Sequence, residues 1–239
     1  MDNLTVIVPF YNEEKYLYES VQRLLAEKIF EKIILINDFS SDGSPQIANK
    51  LADNHKHIYF ISTLENIGKG NAIREALSKI ETSHVIVHDA DLEYFPEDIP
   101  EMFEIAKNNK DTLVLGSRTI GDKTRITLYK TTFYAQKIYA KVFSLFNNYK
   151  LSDIASCYWL LETKHLKEMN ISEKGFSIEV EVLSKTLKRG MKIIEVPISY
   201  EGRSYENGKK IRLIDGVKIL FKIVSSSKAT SFFDRSQTQ

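Results

Sequence analysis

Cysteine, net charge and long apolar runs are all scarce in this sequence. One cysteine, Cys157, occurs in 239 residues, which excludes an internal disulfide and fits a reducing compartment. Lysine and arginine number 33 against 32 acids, leaving +1, so bulk electrostatics point neither to nucleic acid nor to an acidic partner. No uncharged apolar run approaches the roughly 20 residues that a membrane-spanning helix needs. No charged-then-apolar leader is seen either, since Met1-Asp2-Asn3 runs directly into Leu4-Thr5-Val6-Ile7-Val8. A cytoplasmic protein is expected, with room for peripheral contact at the cytoplasmic membrane face. Repeats and low-complexity segments are absent. What is present is ordinary for a soluble globular chain, 43% hydrophobic and 27% charged, and long enough to bury a sizeable core.

The most informative stretch is Val85-Ile86-Val87-His88-Asp89-Ala90-Asp91-Leu92-Glu93. Its β-branched start predicts a buried strand. The strand ends in two aspartates one residue apart, with Glu93 two residues on. In extended chain, residues i and i+2 face the same way. Asp89, Asp91 and Glu93 are therefore expected to converge beyond the carboxyl end of a strand, where open α/β sheets place ligands. Like charges so close repel unless a cation lies between them or one is protonated. A hard divalent ion shared with a phosphate-bearing substrate resolves the conflict; an acidic turn after a strand is the other reading.

Around this stretch, strands are predicted at Leu4 to Val8, Ile33 to Ile36, Ile58 to Ile61 and Leu113 to Gly116. Helices are predicted from an Asn12 N-cap to about Lys28, then Pro45 to Asn54, Ala72 to Ile80 and Glu97 to Asn108. Such alternation means βαβ units and a mostly parallel sheet. The pattern then changes. Tyr129 to Phe146 is an aromatic-rich helix interleaved with Lys130, Lys137 and Lys141, and Cys157 to Leu161 reads as a strand. Ile178 to Arg189 reads as a helix, and Ile193 to Ile198 as a strand that Pro197 confines to an edge. A basic loop from Arg203 to Lys210, an amphipathic helix from Ile211 to Val224 and a frayed tail from Ser225 complete the chain.

Polar clusters follow the first, second and fourth strands, at what should be one edge of the sheet. Glu13 and Asp38 are acceptors suited to base N–H groups and ribose hydroxyls. Gly68 and Gly70 would let backbone approach a ligand, with Lys69 as a nearby positive charge. Taken singly, these are ordinary turn residues. Together, Val8-Pro9-Phe10-Tyr11-Asn12-Glu13-Glu14, Asn37-Asp38-Phe39-Ser40-Ser41-Asp42-Gly43, Asn66-Ile67-Gly68-Lys69-Gly70 and Asp89-Ala90-Asp91-Leu92-Glu93 resemble, in order and spacing, the family 2 glycosyltransferases of GT-A fold. Within that family the chain looks most like the dolichyl-phosphate mannose synthase and bacterial polyprenyl-phosphate glycosyltransferase branch. The likeness continues through Gly116-Ser117-Arg118, Leu151-Ser152-Asp153, Glu195-Val196-Pro197-Ile198-Ser199-Tyr200-Glu201-Gly202-Arg203 and Gly208-Lys209-Lys210-Ile211.

The resemblance implies an α/β fold, a Rossmann-like, mostly parallel central sheet flanked by helices with a smaller acceptor-side region after it. Residues 1–118 would form the nucleotide-sugar half of a single domain, 119–224 the acceptor half and 225–239 a flexible tail. The implied activity is metal-dependent, inverting sugar transfer from a GDP- or UDP-sugar. Pro9, Tyr11, Asn12, Glu13, Asp38, Gly68, Lys69, Asp89, Ala90 and Asp91 would line the donor. Asp89 and Asp91, with Glu93, would hold Mg²⁺ or Mn²⁺, and Arg118 and Arg203 match positions that face phosphates. Asp91, Arg118 and Arg203 would then be catalytic. The chain departs from the pattern at Asn37, where relatives commonly carry a second acid, and at His88, where the branch often has glutamine; a ligand or proton shuttle is one reading of His88, and a hydrogen-bond donor behind the acids is the favoured one.

Two acceptors are consistent with this sequence. A polyprenyl phosphate is already anionic and needs clustered cations, which Arg118, Arg125, Lys130, Arg203, Lys209 and Lys210 could supply. The aromatic and amphipathic helices would then rest at a membrane interface; core packing or a homodimer interface is the alternative. A hydroxyl of a growing glycan needs a base, for which Asp153, Glu179 and Glu181 are the candidates. A nucleotide-sugar-binding protein that has lost catalysis and a nucleotidyltransferase are the readings outside this class.

Overall fold

The computed structural model of the chain describes residues 2–126, 130–203 and 213–227, with backbone alone for 130–132 and 213–215. The strands are Leu4–Phe10 (β1), Phe30–Asn37 (β2), Ile58–Ser62 (β3), His84–Val87 (β4), Thr112–Ser117 (β5), Arg125–Ile126 (β6), Trp159–Glu162 (β7), Lys192–Pro197 (β8) and Tyr200–Glu201 (β9). The helices are Leu17–Glu27 (α1), Ser44–Asn54 (α2), Lys69–Ala76 (α3), Ile99–Asn108 (α4), Lys130–Asn147 (α5), Thr163–Glu168 (α6), Ile178–Lys188 (α7) and Leu213–Ser226 (α8).

Seven strands form one sheet in the order β3-β2-β1-β4-β7-β5-β8, and β6 and β9 form a separate parallel pair. The sheet is parallel except for β7, which runs antiparallel to both β4 and β5. Its apolar strands alternate between two cores. Ile7, Ile34, Val85 and Trp159 face a layer that includes Phe143 of α5, Leu183 of α7 and Ile219 and Ile223 of α8. Val6, Val8, Leu35 and Leu160 face Leu17, Val21 and Leu24 of α1 and Met102 of α4. The Pro197 strand is an edge strand among the described residues, as expected, paired there with β5 alone.

Three local expectations change. Asn12 does not cap a helix: it sits at φ 51°, its Oδ1 accepts from the Ser41 N–H at 2.8 Å, and α1 begins only at Leu17. Helix α3 begins at Lys69, three residues before the expected Ala72. The strand before the acids ends at Val87, so Asp89 and Asp91 lie in a turn, closed by Leu92 at φ 63°, rather than in extended chain. Tyr129, Lys209, Lys210 and the tail from residue 228 lie outside the described residues, as does the side chain of Lys130.

Candidate active site

The carboxyl ends of β1, β2 and β4 bring the polar loops to one edge of the sheet. Pro9 lies in β1 opposite Ile36; Tyr11 just beyond is exposed, and Ala90 is buried in the core. At the end of β2, Asn37 donates to Ser62 Oγ at 2.9 Å and accepts from the Ser40 N–H at 2.8 Å. An amide can do both at once, whereas a carboxylate can only accept. The departure at Asn37 is thus a packing solution that shapes the loop. Beside it, Asp38 accepts from the Ile67 N–H at 3.1 Å, and burial pushes its carboxyl up.

Lys69, at the first position of α3, reaches Asp89 at 2.8 Å and Glu179 at 2.7 Å. Burial works against its charge, but the two carboxylates hold its ammonium well above the ordinary value. Gly68 and Gly70 do not make room for a ligand. A Cβ on Gly68, at φ 123°, would stand 2.5 Å from the Lys174 carbonyl, and one on Gly70 would strike the Glu173 carbonyl. The loop before α7 packs there, with the Asn71 N–H donating to Lys174 O at 3.2 Å.

Asp91 accepts from Arg203 at 3.1 Å. Burial, then Glu93 and Asp89, push its carboxyl up against the pull of Arg203. The same guanidinium bonds Glu13 at 3.1 and 3.3 Å and lies over the Tyr16 ring. Its Nε is buried with no hydrogen-bond partner. Glu93 is not open as a third metal ligand: Tyr200 OH donates to one oxygen at 2.6 Å and the Arg203 N–H to the other at 2.7 Å. It straps the segment carrying Arg203 to the acid turn.

Arg118 is gripped by Asp153 through Nε at 2.7 Å and Nη2 at 2.8 Å, and it donates to Tyr94 OH at 3.1 Å. Asp153 is wholly buried; burial opposes its charge, yet Arg118 keeps its carboxyl below the usual range. Asp153 is therefore a clamp, not an accessible base. Arg125 donates to the Arg118 carbonyl and to Gln136 Oε1, each at 2.8 Å. Glu195, which sequence reasoning missed, binds the Ser152 and Asp153 N–H groups at 3.0 and 3.2 Å and so fixes the clamp; an acid between the apolar Ile194 and Val196 of β8 was its signal.

Glu181 lies elsewhere. Its carboxylate accepts from Ser172 and Glu173 N–H groups at 3.1 and 2.6 Å and pairs with Lys185 at 2.7 Å. Burial raises its carboxyl, but these donors outweigh it and bring it to about 2. His88 does not donate to the acids either. It is buried between Ser20 Oγ at 3.0 Å and Tyr158 OH at 2.8 Å, and burial lowers it to about 4. A further carboxylate–imidazole group, Asp111 before β5, Glu162 at the end of β7 and His165 in α6, lies at the opposite edge, with ligand atoms within 4.8 Å of one another.

The sequence model of Glycosyl transferase family 2 matches residues 5–169. An undecaprenyl-phosphate 4-deoxy-4-formamido-L-arabinose transferase of Photorhabdus laumondii is 28% identical over 86% of this chain and 62% of its own length. A dolichol-phosphate mannosyltransferase of Pyrococcus furiosus is 26% identical over 87% of this chain and 60% of its own length. The chain thus spans under two thirds of these two relatives. The yeast (Saccharomyces cerevisiae) dolichol-phosphate mannosyltransferase is 27% identical over 87% of this chain and 82% of that protein. Among solved structures, glucosyl-3-phosphoglycerate synthase of Mycobacterium tuberculosis in complex with UDP superposes with a TM-score of 0.72 at 16% identity, over 94% of this chain and 80% of that one. The fold is the GT-A fold, and the chain belongs to glycosyl transferase family 2.

Proposed function

We propose that this protein transfers a sugar from a GDP- or UDP-sugar to a polyprenyl phosphate, with inversion at the anomeric carbon. The observation that carries the reading is the convergence of Asp38, Asp89 and Asp91 with Arg203 at the carboxyl edge of the sheet, where a nucleoside diphosphate sugar fits. Residues 1–118 supply the donor side in this reading and residues 119–224 the acceptor side. All three named relatives of lipid-phosphate type support the acceptor class.

The residues fit a divalent ion. Asp89 and Asp91 offer only carboxylate oxygens, the donors that Mg²⁺ and Mn²⁺ prefer. Lys69 and Arg203 serve as their counter-charges, and the burial and acid neighbours that push Asp91 up mark a surplus of negative charge that a cation would relieve. The M. tuberculosis synthase has also been solved in complex with Mn²⁺, UDP and phosphoglyceric acid. When bound, the ion would neutralise charge developing on the diphosphate leaving group. Asp38 would take the base, and the Nε–H of Arg203, which has no hydrogen-bond partner among the described residues and stands 3.8 Å from Glu93, would meet a phosphate oxygen.

The carboxylates that could serve as a base favour the lipid phosphate. Asp153, Glu179 and Glu181 are each held in an ion pair by Arg118, Lys69 and Lys185. A hydroxyl acceptor would need one of them released, whereas a phosphate oxygen arrives already anionic. Calorimetric titration with UDP and GDP, with and without Mn²⁺, is the deciding experiment. Metal-dependent binding of one nucleotide is expected, followed by turnover of the matching sugar nucleotide with undecaprenyl phosphate. Binding of neither would sink the reading.

A further inference from the structure

Tyr200 opens β9 and is buried, with 7% of its surface exposed. Its hydroxyl donates to one oxygen of Glu93 at 2.6 Å, and the other oxygen accepts from the Arg203 N–H at 2.7 Å. Over its ring stands the Arg118 guanidinium, 5.0 Å from the centroid. The backbone gives this side chain little slack. The Tyr200 N–H donates to the Thr124 carbonyl and the Glu201 N–H to the Glu93 carbonyl, each at 2.9 Å. Tyr94, next after Glu93, closes the group. Its ring meets Tyr200 edge-on with centroids 5.3 Å apart, and its hydroxyl accepts from Arg118 at 3.1 Å.

We infer that Tyr200 is a positioning residue that ties Arg203 to Arg118 and holds the two at a fixed spacing. A buried phenol needs a hydrogen-bond partner, and any nearby carbonyl would satisfy it. Here the partner is the carboxylate that also fixes the Arg203 backbone, and the Arg203 side chain in turn meets Asp91 and Glu13. A guanidinium within about 6 Å of a ring centroid is attracted by the ring's quadrupole, so the same side chain restrains Arg118. Tyrosine does both at a small entropic cost, because it has few torsions to lose.

For its purpose the inference rests on the reaction proposed above. Arg203 stands at the acids proposed to hold the metal and the donor, and Arg118 is a candidate for the acceptor phosphate. Transfer between two bound substrates requires that the groups holding them keep their spacing. The hydrogen bond and the ring contact themselves involve neither substrate.

The test is hydrogen exchange followed by NMR on the full chain without ligand, comparing the wild type with Tyr200→Phe and Tyr200→Leu. Phenylalanine keeps the ring over which Arg118 stands and releases Glu93; leucine gives up both contacts. In Tyr200→Phe the Arg203 amide is expected to exchange roughly tenfold faster, with the Arg118 Nε–H and the sheet amides unchanged. In Tyr200→Leu the Arg118 Nε–H should quicken as well. Calorimetry with Mn²⁺ and the nucleotide that the wild type binds should then show Tyr200→Phe binding roughly tenfold more weakly, with KM for undecaprenyl phosphate unchanged. An Arg203 amide that does not respond in Tyr200→Phe overturns the inference, as does an Arg118 Nε–H that does not respond in a folded Tyr200→Leu. Acceleration spread evenly over the sheet amides also overturns it and leaves Tyr200 a packing role alone. If Tyr200→Leu does not fold, Tyr200→Phe still decides through the Arg203 amide. A wild type that binds neither nucleotide removes the donor reading and leaves the exchange rates to judge the coupling. A Tyr200→Phe variant that binds nucleotide as tightly as the wild type overturns the inference while the donor reading stands.

Discussion

Arg203 and Glu13 stand 190 residues apart in sequence and 3.1 Å apart in space. Through that contact, and a second at 3.1 Å to Asp91, the segment after β9 closes over the loop after β1 and the acid turn after β4. One guanidinium therefore neutralises acids contributed by two separate strand ends.

Arg203→Ala should lower kcat/KM by roughly 10²–10³, the usual cost of removing a charge-stabilising donor from an active site. The fold should survive, because Glu93 still holds Tyr200. Steady-state kinetics beside a thermal melt separates the two effects. Partial recovery in Arg203→Lys is expected, since charge returns without the fork.

Asp91→Asn keeps the shape of the side chain and removes its charge. Metal-dependent nucleotide binding should vanish in calorimetry, and EDTA should do the same to the wild-type protein. Unchanged titrations in the variant would remove Asp91 from the set of metal ligands.

Gly68→Ala should destabilise the protein by about 1–3 kcal/mol, as strained backbone commonly does. The cause is φ 123° together with a Cβ that would stand 2.5 Å from the Lys174 carbonyl. Urea denaturation would show a lower midpoint at an unchanged slope. A variant that folds normally but loses nucleotide would mean that the glycine faces ligand after all.

Glu181 gives a pH dependence whose sign is fixed. Its folded carboxyl lies at about 2, below the ordinary 4.5, so its stabilisation is complete above pH 4.5 and is lost as pH falls toward 2. The full effect is on the order of 3 kcal/mol. Glu181→Gln should therefore be less stable than the wild type near pH 7, and the two should converge in acid. Parallel curves across that range would contradict the assignment.

The strands were legible because sheet strands buried on both faces read as β-branched apolar runs, and β1 and β2 are such runs. The loops were only half legible. Asparagine suits both an N-cap and left-handed backbone, and nothing local tells which Asn12 adopts. Glu93 looked like a ligand because its partners, Tyr200 and the Arg203 N–H, lie 107 and 110 residues away. Glu179 and Glu181 could have been separated from sequence alone. Residues two apart on a helix do not share a face, and in α7 one turns to Lys69 and the other to Lys185.

The reversed strand β7 has a consequence for how the chain can be divided. It is the strand that lies between β4 and β5 in the sheet, pairing Val85 with Leu161 on one side and Val114 with Leu160 on the other. A fragment stopped at Arg118 would leave β4 with a bare hydrogen-bonding edge and β5 with no neighbour, a template for sticking to other chains. On a ribosome, β4 and β5 cannot be bridged until Glu162 has emerged, nor the sheet completed until Pro197 has. Residues 1–118 are thus completed by residues that follow them, and the two stretches are made as one folding unit.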